Sequence, residues 1–267
     1  MTSFGTVLRC NTLLIRICLL CILCISVTQS VFAQTDTIDQ RHHKLDTRLL
    51  KTGMRQYLVY FQFPGKPDRL DLSLWVRDIG KTTVNNQPVF TVHQFWYGAD
   101  SLRYSRFVSF NSVTDFSPVY HAAFRGGRSI AYNWSATGVT AADTVEGNAA
   151  AGYKLDFDQP NYNWHLDIET FEMLPLAAGK TFLINFYDAG LDPPKYVAYS
   201  VTGSEVLATL DNRQVDCWKL QTKGDYKGMS YVQTYWISKA GHELLKEVDE
   251  YGGLFRYKVK LPGLAPN

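Results

Sequence analysis

Acidic residues are missing from the first 35 positions, and cysteine is nearly missing from everything after position 24. The first absence frames an export signal. Arg9 and Arg16 supply positive charge, and the apolar stretch from Ile17 to Ile25 is too short to cross a hydrocarbon core of about 30 Å. Thr28, Gln29 and Ser30 then interrupt the apolar character, which argues against a membrane anchor. Ala33 fits the last position before a signal-peptidase cut, with Val31 two residues earlier. The expectation is a signal peptide over 1–33, cut at Ala33–Gln34. No cysteine follows the small residue that lipidation would need.

The second absence follows from the first. Cys10, Cys18, Cys21 and Cys24 leave with the signal, so Cys217 stands alone and no intramolecular disulfide can form. The Cys-x-x-Cys spacings at 18–21 and 21–24 belong to an apolar run, not to a redox or zinc site. Net charge is missing too. Without Arg9 and Arg16, the 27 basic residues become 25, equal to the 25 acidic ones. A neutral domain without a basic cluster argues against nucleic acid as a partner. It also argues against an anionic membrane surface as the main one.

The common catalytic signatures are incomplete. His242-Glu243-Leu244-Leu245-Lys246 starts like a zinc-protease helix, but Lys246 stands where the second His would complete the site. Gly80-Lys81-Thr82 and Gly179-Lys180-Thr181 lack the earlier glycine of a phosphate-binding loop, Trp75 and Leu174 occupying that position. No Gly-x-Ser-x-Gly elbow exists. Cys217 lies mid-strand beside Trp218 and reads as a buried structural thiol. His93, His121 and His165 are too scattered to indicate a shared metal. Asp156 and Asp158 are the residue type that flanks a glycosidic bond, but they read as solvated loop carboxylates. No cofactor is implied.

What is present is β-structure rich in aromatic residues. After the signal, 34–52 is polar and expected to be loosely held, and 53–267 reads as a single β-rich domain without a linker. Leu70, Leu72, Leu74 and Val76 alternate with Asp71, Ser73, Trp75 and Arg77. Phe255, Tyr257, Val259 and Leu261 alternate with Leu254, Arg256, Lys258 and Lys260. This period of two marks a sheet with one buried face. Further runs rich in aromatic and β-branched residues lie at 56–63, 89–97, 104–110, 129–134, 181–187, 196–201, 215–222, 230–238 and 243–248, punctuated by Gly, Asn, Asp and Pro. Only Leu166 to Leu174 looks helical, with acidic residues in its first turn and Pro175 after it. The fold class is therefore mainly β: a strongly curved antiparallel sheet or half-open barrel of about eleven strands with one short helix. Phe, Tyr and Trp make up 14% of the chain. Trp96, Trp218 and Trp236 are the candidate ligand-binding residues, as members of aromatic strand faces.

The C-terminal region carries a recognisable pattern. Asp216-Cys217-Trp218-Lys219-Leu220 is followed by Tyr235-Trp236-Ile237-Ser238-Lys239, then His242-Glu243-Leu244-Leu245-Lys246, with Gly252 and Gly253 before the last strand. Over about Thr209–Leu261 this resembles uncharacterised exported bacterial β-proteins. Those in turn resemble the periplasmic lipoprotein-carrier (LolA/LolB-like) superfamily. The resemblance implies a half-open β-barrel with an apolar concave face, and Leu166–Pro175 is similar to a linking segment of such proteins.

The leading expectation is an exported, non-enzymatic protein that binds an apolar or lipid-like ligand in a curved sheet. It would act in the periplasm or outside the cell, with association at the outer membrane as one destination. The alternative is a structural or protein-interaction module of the cell envelope. A hydrolase with unidentified carboxylates ranks third.

Overall fold

The computed structural model describes residues 34–42 and 44–263. The expected export signal lies outside the described residues. Sixteen strands form one sheet: β1 (Thr35–Ile38), β2 (Gly53–Phe63), β3 (Lys66–Val84), β4 (Gln87–Tyr97), β5 (Ser105–Ser112), β6 (Pro118–Arg125), β7 (Arg128–Ser135), β8 (Gly138–Ala141), β9 (Lys154–Asp156), β10 (Tyr162–Asn163), β11 (Thr181–Tyr187), β12 (Lys195–Ala208), β13 (Gln214–Tyr226), β14 (Met229–Ser238), β15 (Leu244–Tyr251) and β16 (Leu254–Lys260). The eleven expected strands are among them. The five not anticipated are β1, β6, β8, β9 and β10, which lie outside the long alternating runs; four of them are four residues or shorter.

The strand order is β1-β11-β12-β13-β14-β15-β16-β2 through β9, with β10 also beside β11. Two antiparallel meanders thus join where β16 pairs with β2, Tyr257 opposite Tyr60. The sheet is curved but does not close into a barrel. Its far strands approach through side chains: Trp134 of β7 meets Tyr187 of β11 at 5.7 Å between ring centroids. Trp134 Nε1 also donates to Asn161 Oδ1 at 3.1 Å. Residues 34–52, expected to be loosely held, supply β1, parallel to β11, and place Ile38, Leu45 and Leu50 in the main core.

Turn chemistry explains the best-defined hairpin. Asn85 and Asn86 take φ of 49° and 62°, the left-handed pair that a two-residue connection between β3 and β4 requires.

The expected helix is α1 (Asp167–Glu172), entered through a 3-10 turn over Trp164–Leu166. Asn163 caps that turn by accepting from the His165 amide at 3.0 Å. The segment packs against the inner face of the sheet. Phe171 reaches Tyr199 of β12 at 4.7 Å and Tyr235 of β14 at 4.8 Å. Six residues cannot hold a helix in water, so packing stabilises α1.

Its packing decides which side-chain set of two strands faces inward. On β3 the inner face carries Trp75, Arg77 and Ile79, and Arg77 is 3% exposed while outward Leu70 is 54% exposed. On β16 the inner face carries Arg256 and Lys258 rather than Phe255 and Tyr257. The reason lies on α1, whose Glu169 and Glu172 are fully buried and need cations beside them. Spaced i,i+3, they share a helix face. Arg77 donates to Glu169, and Arg55 of β2 donates to Glu172. The Leu244 amide adds a bond to Glu172 at 2.8 Å.

Candidate functional site

α1 and its core fill only part of the inner face. Toward the hairpin tips the face lies open as a cleft of about 760 Å³, within the usual range of small-molecule sites. Trp164, Phe186, Tyr187, Tyr226, Tyr231 and Tyr251 supply its aromatic lining, and Gln233 and Arg256 are among its polar groups.

Strand register dictates this arrangement. One cross-strand row runs Tyr235–Glu247–Lys258 over β14, β15 and β16, beneath α1. The next row outward is Gln233–Asp249–Arg256, and the next is Tyr231–Tyr251–Leu254. All three rows share the inner face, because side chains on a strand alternate with period two. The cleft therefore has a polar row at its base and tyrosines at its lip. Trp164 is held by the capped 3-10 turn and packs on Phe186 at 5.3 Å. The Tyr187 hydroxyl meets Tyr153 at 2.5 Å and accepts from the Gly190 amide at 3.1 Å. Gly190 has φ of 88°, and a Cβ there would lie 2.6 Å from the Tyr132 hydroxyl, so the loop needs glycine at this point.

The polar rows are electrostatically uneven. Burial pushes the Glu247 carboxyl up, but Lys258 and Arg256 outweigh it and hold the group down at about 2. Burial, then the charge of Glu247, push Asp249 up to about 7. Asp249 touches the Arg256 guanidinium as an ion pair, yet neither of its oxygens receives a well-formed hydrogen bond. Arg256 Nη2 donates to Glu247 at 2.7 Å, while its Nε is buried without a partner.

The three tryptophans singled out in the sequence are not brought together. Trp96 faces inward, stacked on Trp75 at 3.9 Å, and lines a shallower depression of about 200 Å³ with Phe61, Ser73 and Arg103. That depression adjoins the cleft across β16, where Arg256 approaches the Trp75 ring at 5.8 Å. Trp218 packs against the main core, with the Lys239 ammonium 4.3 Å from its ring centroid. Trp236 lies on the outer face with Cys217 and Leu245, its Nε1 donating to Glu205 at 3.2 Å. Composition marks aromatics but not the face or end of the sheet they occupy. The residues missed were Trp164, Phe186, Tyr187, Tyr231, Tyr251 and Arg256. The alternation of Arg256 and Lys258 with aromatic neighbours is visible in the sequence, but it does not say which set faces inward.

The histidines scattered in sequence partly converge. His121 and His165 stack at 4.6 Å, Ser109 Oγ lies 2.9 Å from His121 Nδ1, and His165 Nε2 lies 3.5 Å from Asp188. Burial and His165 hold His121 well below the usual imidazole range, so it is neutral at neutral pH. Ser109 is 0% exposed, which keeps its hydroxyl from any substrate. Among the described residues no group of three His, Cys, Asp or Glu converges as a metal site. Asp156 and Asp158 are exposed.

Cys217 is fully buried, and burial raises its thiol to about 11. It should react with Ellman's reagent only after unfolding in denaturant; fast labelling of the native protein would contradict this packing.

The family model described as protein of unknown function DUF3108 matches residues 56–260. The chain belongs to the DUF3108 family. The matched region runs from β2 to the last residue of β16, so it contains both meanders, α1 and every strand of the cleft. A solved structure of a DUF1329 family protein from Desulfovibrio piger is similar at 9% identity. The alignment covers 80% of this chain and 86% of that one, with a TM-score of 0.27. At that score the likeness says nothing of function. No curated protein matches the sequence. Neither finding names a lipoprotein carrier, so that part of the resemblance rests on the C-terminal motifs alone.

Proposed function

We propose that this DUF3108 chain is an exported, non-enzymatic protein that binds an apolar or lipid-like ligand in the open half of its inner sheet face. The observation carrying the reading is the cleft of about 760 Å³ with six aromatic side chains in its lining. Aromatic rings bury large area at little conformational cost, and the polar groups at the base suit the orientation of one end of a ligand. Export rests on the N-terminal pattern of the sequence.

Native mass spectrometry of protein recovered from a secreting host tests both parts. The expected result is a chain beginning at Gln34 that carries, or takes up, one fatty-acid-like molecule. Tyr251→Ala combined with Trp164→Ala should weaken uptake of a fluorescent fatty acid about tenfold or more, the equivalent of about 1.4 kcal/mol. A chain that still carries residues 1–33 would reject export. A folded protein that ignores lipids and fatty-acid probes would reject binding.

A second reading is a protein-interaction module of the envelope. Leu70, Leu72 and Tyr97 stand 54%, 48% and 45% exposed on the outer face, beside the Tyr60–Tyr257 stack at 4.7 Å. Cross-linking in envelope fractions separates the two. A specific partner lost on Leu70→Asp and Leu72→Asp substitution, with no lipid uptake, would favour this second reading.

A further inference from the structure

The base of the cleft distinguishes one kind of apolar ligand from another. Gln233, Asp249 and Arg256 stand side by side on β14, β15 and β16. Arg256 borders the cleft with its side chain 25% exposed. Two neighbouring carboxylates, Glu247 and Asp249, meet it through Nη2, and its Nε has no partner. Of those carboxylates, Glu247 is also held by Lys258. Among the described residues Asp249 has no second ion-pair partner and neither oxygen receives a well-formed hydrogen bond, while its carboxyl lies beside that of Glu247. Beside them the Tyr251 hydroxyl accepts from Gln233 Nε2 at 2.8 Å, which leaves its own proton free to be donated.

Resting on the proposed binding reading, we infer that the cleft takes an amphiphile with a single anionic end, which Arg256 and the Tyr251 hydroxyl hold while Asp249 takes up a proton. The anion replaces Asp249 as the counter-ion of Arg256. The reason is electrostatic. Arg256 and Lys258 carry two positive charges, which Glu247 and Asp249 balance, so an anion seated on Arg256 is accommodated best when one of these carboxyls becomes neutral; the cleft's other charged groups, Lys195 and Lys227 with Asp188 and Asp192, balance one another. Asp249 is the group that can do so near neutral pH, because burial and Glu247 already raise it to about 7. Of the other groups facing it, only Asp167 competes for the proton, and Asp249→Asn tells the two apart. Glu247 stays ionised, Lys258 lies one row deeper, and burial raises Tyr235 and Tyr251, which remain neutral. Asp167 of α1 faces the deeper row, and burial raises it as well.

Above about pH 7, where Asp249 is ionised, one bound anion brings in one proton; toward pH 6 Asp249 already holds that proton and the uptake fades. An approaching negative charge raises the Asp249 pKa further, so affinity rises as pH falls through the neutral range. Oleate, lysophosphatidate and oleyl alcohol distinguish the sources of the chemistry. The first two share an anionic end but differ in headgroup, and the third has the chain alone.

The test is isothermal titration calorimetry of the wild-type chain at pH 6, 7 and 8, in two buffers of different ionisation enthalpy. At least one of the two anions should bind about tenfold or more tightly than oleyl alcohol. It should take up close to one proton at pH 8 and less toward pH 6, and tighten as the pH falls. Whichever anion binds more tightly names the headgroup class. Asp249→Asn should bind that anion without proton uptake and with a flat pH profile. Arg256→Met should lose the preference for anions while still binding oleyl alcohol. If Arg256→Met does not fold, the wild-type proton count and the Asp249→Asn profile decide alone. Equal affinity for all three ligands, or anion binding with no proton uptake at pH 8, overturns the anchor and leaves the cleft as a plain apolar site. No binding of any of the three overturns both.

Discussion

Replacing Arg77 with Met is expected to destabilise the protein by about 3–5 kcal/mol. Arg77 is 3% exposed and donates to Glu169, whose side chain is fully buried and whose second oxygen has no hydrogen bond. It also donates to the His165 carbonyl at 3.1 Å, which Gln94 shares at 2.9 Å. Removing the guanidinium leaves a buried carboxylate without its counter-charge, the costly outcome. The pair does not stand alone. Arg55 and Arg77 are direct cross-strand partners on β2 and β3, a like-charge arrangement that disfavours the sheet by itself. The two glutamates of α1 reverse that by meeting one arginine each. The double substitution Arg77→Met with Glu169→Gln should recover much of the loss, since Glu169 no longer carries a buried charge, although Asp167 also loses its 3.9 Å contact with Arg77. Urea unfolding with a constant m-value reads both effects. A single-mutant loss below about 1 kcal/mol would show that the network does not hold α1 in place.

The second large effect is a pH profile. Asp249 keeps its proton to about 7 in the folded chain, against an ordinary value of 3.8. Between those values the folded state binds more protons than the unfolded one, so stability falls as pH rises from about 4 to 7. Glu247 works in the opposite direction. Its folded value of about 2 lies below the ordinary 4.5, so its contribution is present above pH 4.5 and is lost as pH falls toward 2. These two groups place maximum stability in mildly acidic solution. Asp249→Asn removes the upper limb and should stabilise the protein at pH 8 by about 2–4 kcal/mol, with little change at pH 4. Thermal unfolding across pH checks this. An equal shift at both pH values would mean that the asparagine acts through packing rather than charge.

The same carboxylate that costs stability at neutral pH is the one invoked in anion binding. A buried acid poorly satisfied by its neighbours is a common mark of a functional site. The two experiments bear on that link independently, because one is done without ligand.

Several elements were legible in the chain. The eleven strand-like runs are strands, and the segment with acids in its first turn and Pro175 after it is a short helix. These are local matters: side-chain period, turn conformation and capping act within a few residues. The edge strands β1, β9 and β10 escaped because four residues or fewer carry no period, and they exist only where a neighbour supplies the ladder.

The sequence by itself determined that two side-chain sets alternate on β3 and β16 and that acids open the short helix. It did not determine which set faces inward. That depends on α1, whose Glu169 and Glu172 reach the sheet from more than eighty residues along the chain from Arg77 and more than a hundred from Arg55. Buried acids select a strand face bearing arginines over one bearing leucines, because an unpaired carboxylate costs more than an exposed leucine. The cleft was likewise decided by tertiary structure. Trp164, Tyr231, Tyr251 and Arg256 meet only when register aligns β14, β15 and β16 beside the turn that precedes α1.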